Sequence, residues 1–201
     1  MSSNKNNVYL GRQPIFDRRH SLVAYELLHR SGNLAEAQVT DNASATAEVI
    51  RRSFKRIGIN TVLGESAGFL NVDAEMLYSR HLEALPVDRL VLELLETVVI
   101  DDRIIERCRE LKQRGFRLAL DDVSAYDDCH EPLFEMADII KIDLALLGQA
   151  ELAALVRKLR PYTGKLLAEK VETWERIQEC MALGFQLFQG FVLARPSVLV
   201  S

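Results

Sequence analysis

Short apolar runs alternate with amphipathic stretches along almost the whole chain, and no low-complexity linker or close repeat interrupts them. The runs rich in β-formers cover residues 8–10, 21–25, 68–72, 89–94, 116–120, 139–142, 165–168 and 187–192. Helical periodicity fills several of the gaps. Residues 44–57 place Ala47, Ile50, Phe54 and Ile57 on one stripe, and residues 101–114 do the same with Ile104, Ile105, Cys108 and Leu111 before Gly115. Residues 150–160 carry Leu152, Leu155, Val156 and Leu159 and stop at Pro161, and residues 173–183 open on the capping Thr173 and stop at Gly184.

Near-continuous apolar strands alternating with helices imply a mostly parallel sheet buried on both faces. Eight strands can close into a (β/α)8 barrel, which removes the edges; an open doubly wound sheet is the alternative. Such a barrel ordinarily takes about 250 residues, so a chain of 201 needs short loops and some missing helix. The tightest stretch is 71–93, where Pro86 leaves little room for a crossover helix. Only Asp17-Arg18-Arg19-His20 separates the first two strands, a turn that suits an antiparallel hairpin. The expected fold is therefore α/β: a modified (β/α)8 TIM-type barrel with one antiparallel strand, somewhat truncated. Residues 1–7 are expected to be a flexible N-terminal segment and residues 8–201 one barrel domain.

A balance of 25 basic against 29 acidic residues gives a net charge of −4, which disfavours a coat protein for nucleic-acid polymers. The first residues are polar and lack the apolar core of a secretory signal, and charges interrupt every apolar stretch well short of membrane-spanning length. Cys108, Cys129 and Cys180 match neither a disulfide framework nor a zinc spacing. These features point to a cytoplasmic location without a membrane partner.

The ends of the apolar runs carry the chemistry. Glu26, Asn71, Glu93, Asp121-Asp122, Lys141 with Asp143, Glu169 with Glu172, and Gln189 stand at the ends of seven successive runs. Singly, each is ordinarily a cap, a surface pair or a loop residue. In a closed barrel the carboxyl ends converge on one mouth, where active sites are built. Two carboxylates about 4 Å apart repel by roughly 4 kcal/mol at an effective dielectric near 20, so such a mouth calls for cations or bound protons. An oxygen-rich set suits Mg²⁺ or Mn²⁺, and two adjacent aspartates allow two ions to share a carboxylate.

The chain resembles the EAL domain of bacterial cyclic di-GMP phosphodiesterases over nearly its whole length. Gln13-Pro14-Ile15-Phe16-Asp17 and Tyr25-Glu26-Leu27-Leu28-His29-Arg30 look like the family's QPI and EALLR segments. Phe69-Leu70-Asn71-Val72, Glu93-Leu94-Leu95-Glu96, Leu120-Asp121-Asp122 and Ile140-Lys141-Ile142-Asp143 match its asparagine, ExxE, paired-aspartate and KxD segments. Ala168-Glu169-Lys170-Val171-Glu172-Thr173 resembles AEGVET, and Gln189-Gly190-Phe191 with Pro196 resembles QGY…P. The resemblance implies two Mg²⁺ or Mn²⁺ ions and hydrolysis of cyclic di-GMP to pGpG in signal transduction. It implies Glu26, Asn71, Glu93, Asp121 and Asp122 as metal ligands, with Asp121 bridging. Glu169, Lys141 and Glu172 are then catalytic, Arg30, Gln13 and Gln189 bind substrate, and Glu96 braces the loop after the fifth strand.

Departures from the family pattern leave a second function class open. Leu27 replaces the alanine of the EAL motif, Lys170 replaces the glycine of AEGVET, and Val123 to Cys129 replace a glycine-containing loop. A catalytically inactive EAL domain acting as a cyclic di-GMP sensor or protein-interaction module is that alternative. The opening segments also resemble the branch in which an EAL domain precedes an HDOD domain, which implies a C-terminal HDOD partner in a longer parent protein; a homodimer is a separate expectation.

Overall fold

The computed structural model describes residues 9–29, 50 and 54–200. Residues 1–7, and most of the helix expected over 44–57, lie outside the described residues. Eight strands close on themselves: β1 (Tyr9–Asp17), β2 (Leu22–His29), β3 (Ala67–Val72), β4 (Leu90–Leu94), β5 (Arg117–Leu120), β6 (Ile139–Asp143), β7 (Lys165–Glu169) and β8 (Leu187–Phe188). Each neighbouring pair from β2 to β8 is parallel. β1 runs the other way and seals the barrel, pairing with β2 from Leu10 opposite His29 to Phe16 opposite Leu22, and with β8 through Phe16 and Asp17. This double pairing excludes the open sheet. A ninth strand, β9 (Ser197–Val200), adds antiparallel to Tyr9–Arg12 of β1; its mixed sequence gave no clear strand signal.

The helices whose periodicity is strongest form where the pattern places them. α4 (Asp102–Gln113) is capped by Asp101, whose carboxylate accepts from the Ile104 amide at 2.8 Å, and it buries Ile104, Cys108 and Leu111. α6 (Gln149–Leu159) buries Leu152, Leu155, Val156 and Leu159. α7 (Trp174–Leu183) is capped by Thr173 and ends on Gly184 at φ 109°, a left-handed stop. Between β3 and β4 only two single-turn helices fit, α2 (Ala74–Leu77) and α3 (Arg80–Glu83), which is the expected truncation. Two further short helices, α1 (Ile59–Leu63) and α5 (Glu131–Met136), are too brief to show a periodicity.

β8 stops at Phe188, although its apolar run continues to Val192. At Gly190 the chain passes so close to Val171 that a Cβ would overlap the Val171 carbonyl oxygen. The backbone leaves the ladder here, while Gln189 still donates to Ala168 O at 2.9 Å and accepts from the Val171 amide at 3.1 Å.

Two apolar layers hold the fold together. The larger lies between barrel and helices; the smaller fills the barrel's interior with Ile15, Ala24, Phe69, Val91, Ala119, Ile139, Leu167 and Leu187, one side chain from each strand. No helix among the described residues is long and apolar enough to cross a membrane.

Candidate metal centre at the barrel mouth

Side chains alternate along a strand, so the residue two positions beyond an inward apolar group also faces inward. Two positions toward the carboxyl end from the interior layer stand Glu26, Asn71, Glu93, Asp121, Lys141, Glu169 and Gln189. On the reversed strand β1 the same step runs backward, from Ile15 to Gln13, which sits opposite Glu26. One further polar layer thus caps the apolar one, with a member from every strand. Asn71 stands opposite Glu93, and Asp143 opposite Glu169.

Lys141 is the hub. It is 1% exposed, and its ammonium donates to Glu93 Oε1, to Asp121 Oδ1 at 2.8 Å and to Glu169 Oε1 at 2.9 Å. Gln189 Nε2 donates to Glu26 Oε2 at 2.6 Å. Beyond this layer, Lys170 Nζ pairs with Asp143 Oδ2, whose other oxygen accepts from the Ala145 amide at 2.8 Å. Six carboxylates (Glu26, Glu93, Asp121, Asp122, Asp143, Glu169) therefore face two ammonium groups. A cavity of about 250 Å³ opens among Gln13, Glu26, Asp121, Lys141, Glu169 and Gln189, with Asp122 and Lys170 at its edge.

Burial raises Glu93 well above the ordinary carboxylate range, and Glu26, Asp121 and Glu169 add to the shift against the pull of Lys141. Burial likewise pushes Glu169 up to about 7. For Lys141 burial acts downward, but Glu93, Glu169, Glu26 and Asp121 together outweigh it and hold the ammonium well above its usual range. Asp122 is raised by burial and by Asp121, with Lys170 opposing. Charge is thus crowded past what the protein's own cations offset.

The donor chemistry fits a hard divalent cation. Asn71 Oδ1, Glu93 Oε2 and Glu169 Oε2 are buried oxygens that accept no hydrogen bond from the protein, and a buried acceptor left bare is costly. Separately, Glu96, Asp121 and Asp122 bring one carboxylate oxygen each within 4.8 Å of one another. Asp121, which accepts from Lys141 in the polar layer, also belongs to this cluster, as does Glu96, expected only to brace a loop. Glu172 is exposed three residues beyond Glu169 and does not line the mouth, and Arg30 lies outside the described residues. The Asp143–Lys170 pair was not among the expected site residues; its signal was the shared side of Lys141 and Asp143 on one strand.

Backbone strain concentrates here. Among the described residues only His20, Asp122 and Lys170 are non-glycine residues with positive φ, and two of them flank the mouth, Asp122 at 44° and Lys170 at 51°. The loop after Asp122 has no glycine and is anchored instead by Tyr126, whose ring stacks on Phe134 at 5.5 Å and whose hydroxyl meets that of Tyr162 at 2.7 Å.

A closed barrel with one reversed strand, bearing at its carboxyl end a lysine-centred ring of oxygen donors, defines a TIM-type barrel with an acidic mouth suited to divalent cations. The EAL domain model matches residues 2–196, and the chain belongs to the EAL domain family. It is 35% identical over 196 residues to the uncharacterized protein YuxH of Bacillus subtilis (strain 168), covering 96% of this chain and 48% of that protein. It is 33% identical over 194 residues to the cyclic di-GMP phosphodiesterase CdgJ of Vibrio cholerae, covering 95% of this chain and 45% of that protein. The chain thus spans about half the length of these curated relatives. Many solved structures share the fold, and two complexes with c-di-GMP and a divalent cation illustrate it. The Bacillus subtilis YkuI protein, with an EAL domain in complex with substrate c-di-GMP and calcium, superposes with a TM-score of 0.74 at 23% identity, over 94% of this chain and 56% of that one. The manganese and c-di-GMP complex of Klebsiella pneumoniae BlrP1 at pH 9.0 gives 0.76 at 24%, over 98% and 58%.

Proposed function

We propose that the chain is a divalent-cation-dependent phosphodiesterase that opens cyclic di-GMP to linear pGpG, using Mg²⁺ or Mn²⁺. The observation that carries this reading is the set of buried, unpartnered acceptors (Asn71 Oδ1, Glu93 Oε2 and Glu169 Oε2) in the same layer as Lys141. Glu26, Asn71, Glu93 and Asp121 would hold one ion, and Asp121 with Asp122 the other. The chemistry such ions supply is activation of water and neutralisation of phosphate charge.

The chain's own groups do the rest. Lys141 gathers the carboxylates and presents a fixed positive charge to the phosphate. Glu169, poised near neutrality, takes the proton that leaves the attacking water. One P–O bond forms to that oxygen, one P–O bond of the ring breaks, and the departing ribose oxygen takes a proton from solvent to become the free hydroxyl of pGpG. Arg30, Gln13 and Gln189 bind the nucleotide, and Glu172 supports Glu169 from outside the mouth.

The test is incubation of purified chain with cyclic di-GMP and Mn²⁺ or Mg²⁺, with Glu26→Ala as control. Cleavage to pGpG that disappears in the variant is the expected result; no turnover with either metal at high enzyme concentration refutes it. The strained Lys170 and the glycine-free loop favour a second reading, a non-hydrolysing sensor or protein-interaction module. Calorimetry separates them, because the sensor binds cyclic di-GMP without cleaving it. A cytoplasmic location, a C-terminal HDOD domain in a longer parent and a homodimer belong to the same proposal; a longer reading frame and sedimentation measurements check the last two.

A further inference from the structure

Lys170 is placed at a conformational cost. Its φ of 51° lies in the left-handed region, which a side chain with a Cβ disfavours. What its ammonium meets is Asp143 Oδ2, a carboxylate only 1% exposed, while the lysine itself stays 61% exposed. A solvent-reaching cation thus folds back to neutralise a buried acid behind the cavity's lining, while Lys170 itself follows Glu169 in sequence and lines the cavity together with Asp122. Its charge also reaches Asp122 and Glu169.

We propose that Lys170 acts as a tethered cation on the Asp122–Asp143 side of the mouth and weakens uptake of the second divalent ion there. This rests on the two-ion reading above and makes Lys170 a positioning residue that sets the metal concentration at which the mouth is filled. A fixed positive charge within several ångströms of a dication repels it even at an effective dielectric near 20. The glycine that the family pattern would place at this position carries no such charge.

Metal counting tests it without recourse to activity. Mn²⁺ is titrated into the wild-type chain, Lys170→Met, Lys170→Gly and Lys170→Arg, with bound ion read by equilibrium dialysis and by loss of the free-Mn²⁺ resonance signal. Methionine removes the charge but keeps length and the same backbone demand, glycine relieves that demand, and arginine keeps the charge. Expected are one tight and one weak equivalent in wild type and Lys170→Arg, and a second equivalent at least about tenfold tighter in Lys170→Met and Lys170→Gly. Two indistinguishable curves for wild type and Lys170→Met overturn the proposal, and tightening in glycine alone assigns the effect to backbone strain and overturns it too. If no form binds Mn²⁺, the metal-site reading itself falls, and this proposal with it.

Discussion

Replacing Lys141 with methionine isolates the electrostatic core of the mouth. The side chain is 1% exposed and holds three carboxylates, of which Glu93 is fully buried. Methionine keeps nearly the same length and flexibility, so the packing cost is small. What changes is that Glu93, Asp121 and Glu169 lose their shared counter-charge, and stripping one partner from a buried ionic group costs about 3–5 kcal/mol. That cost falls on the ionised carboxylates. Glu93 and Glu169 are already raised by burial, and without Lys141 they rise further. At pH 5.5 they bind protons in the folded state and most of the penalty disappears; at pH 8 the folded state must carry the charges or pay to keep the protons. The single tryptophan, Trp174, reports urea unfolding by fluorescence. With a slope of about 3 kcal/mol/M, the metal-free variant should unfold roughly 1–1.7 M urea earlier than wild type at pH 8, and the gap should shrink severalfold at pH 5.5. An equal gap at both pH values, or none at either, would refute the view of Lys141 as the hub of ionised carboxylates.

Other outcomes follow from the same structure. Because Glu169 is raised from 4.5 to about 7, the folded state binds its proton more tightly than the unfolded chain. That contribution is fully present below pH 4.5 and is lost as pH rises through 7, about 3 kcal/mol in all; Glu169→Gln should flatten the metal-free stability profile across this window in urea titrations. Gly190→Ala drives a Cβ into the Val171 carbonyl and should cost roughly 3 kcal/mol, displacing Gln189 from Glu26, so both melting temperature and Mn²⁺ affinity fall. Gly184→Ala meets nothing within 4 Å but holds φ at 109°; it should cost about 1–2 kcal/mol and leave Mn²⁺ affinity unchanged, as thermal melts and metal titrations will show.

Much of the barrel was readable because its strands and helices carry local signals. Runs such as 89–94 and 139–142, short and largely apolar, read as buried strands, and the Asp101 and Thr173 caps mark where α4 and α7 begin. The short elements α1, α2, α3 and α5 escaped because a single turn has no period to detect, and β8 read too long because the overlap at Gly190 is a contact with a distant segment. Glu26, Asn71, Glu93, Asp121, Lys141, Glu169 and Gln189 were legible as strand-end polar groups. Gln13 was not legible this way, since it lies beyond the apolar run read over 8–10, in the middle of a strand that continues to Asp17 and runs in reverse.

Alternation along each strand is a property of neighbouring residues, so the chain alone dictated that a polar group follows each inward apolar one by two positions. Which of those groups touch is a property of register between strands dozens of residues apart. Closure of β1 onto β8, the gathering of Glu93, Asp121 and Glu169 on Lys141, and the fold-back of Lys170 onto Asp143 all depend on that register. No local pattern records them, because the free energy that selects them comes from burying charges together only after the barrel has shut.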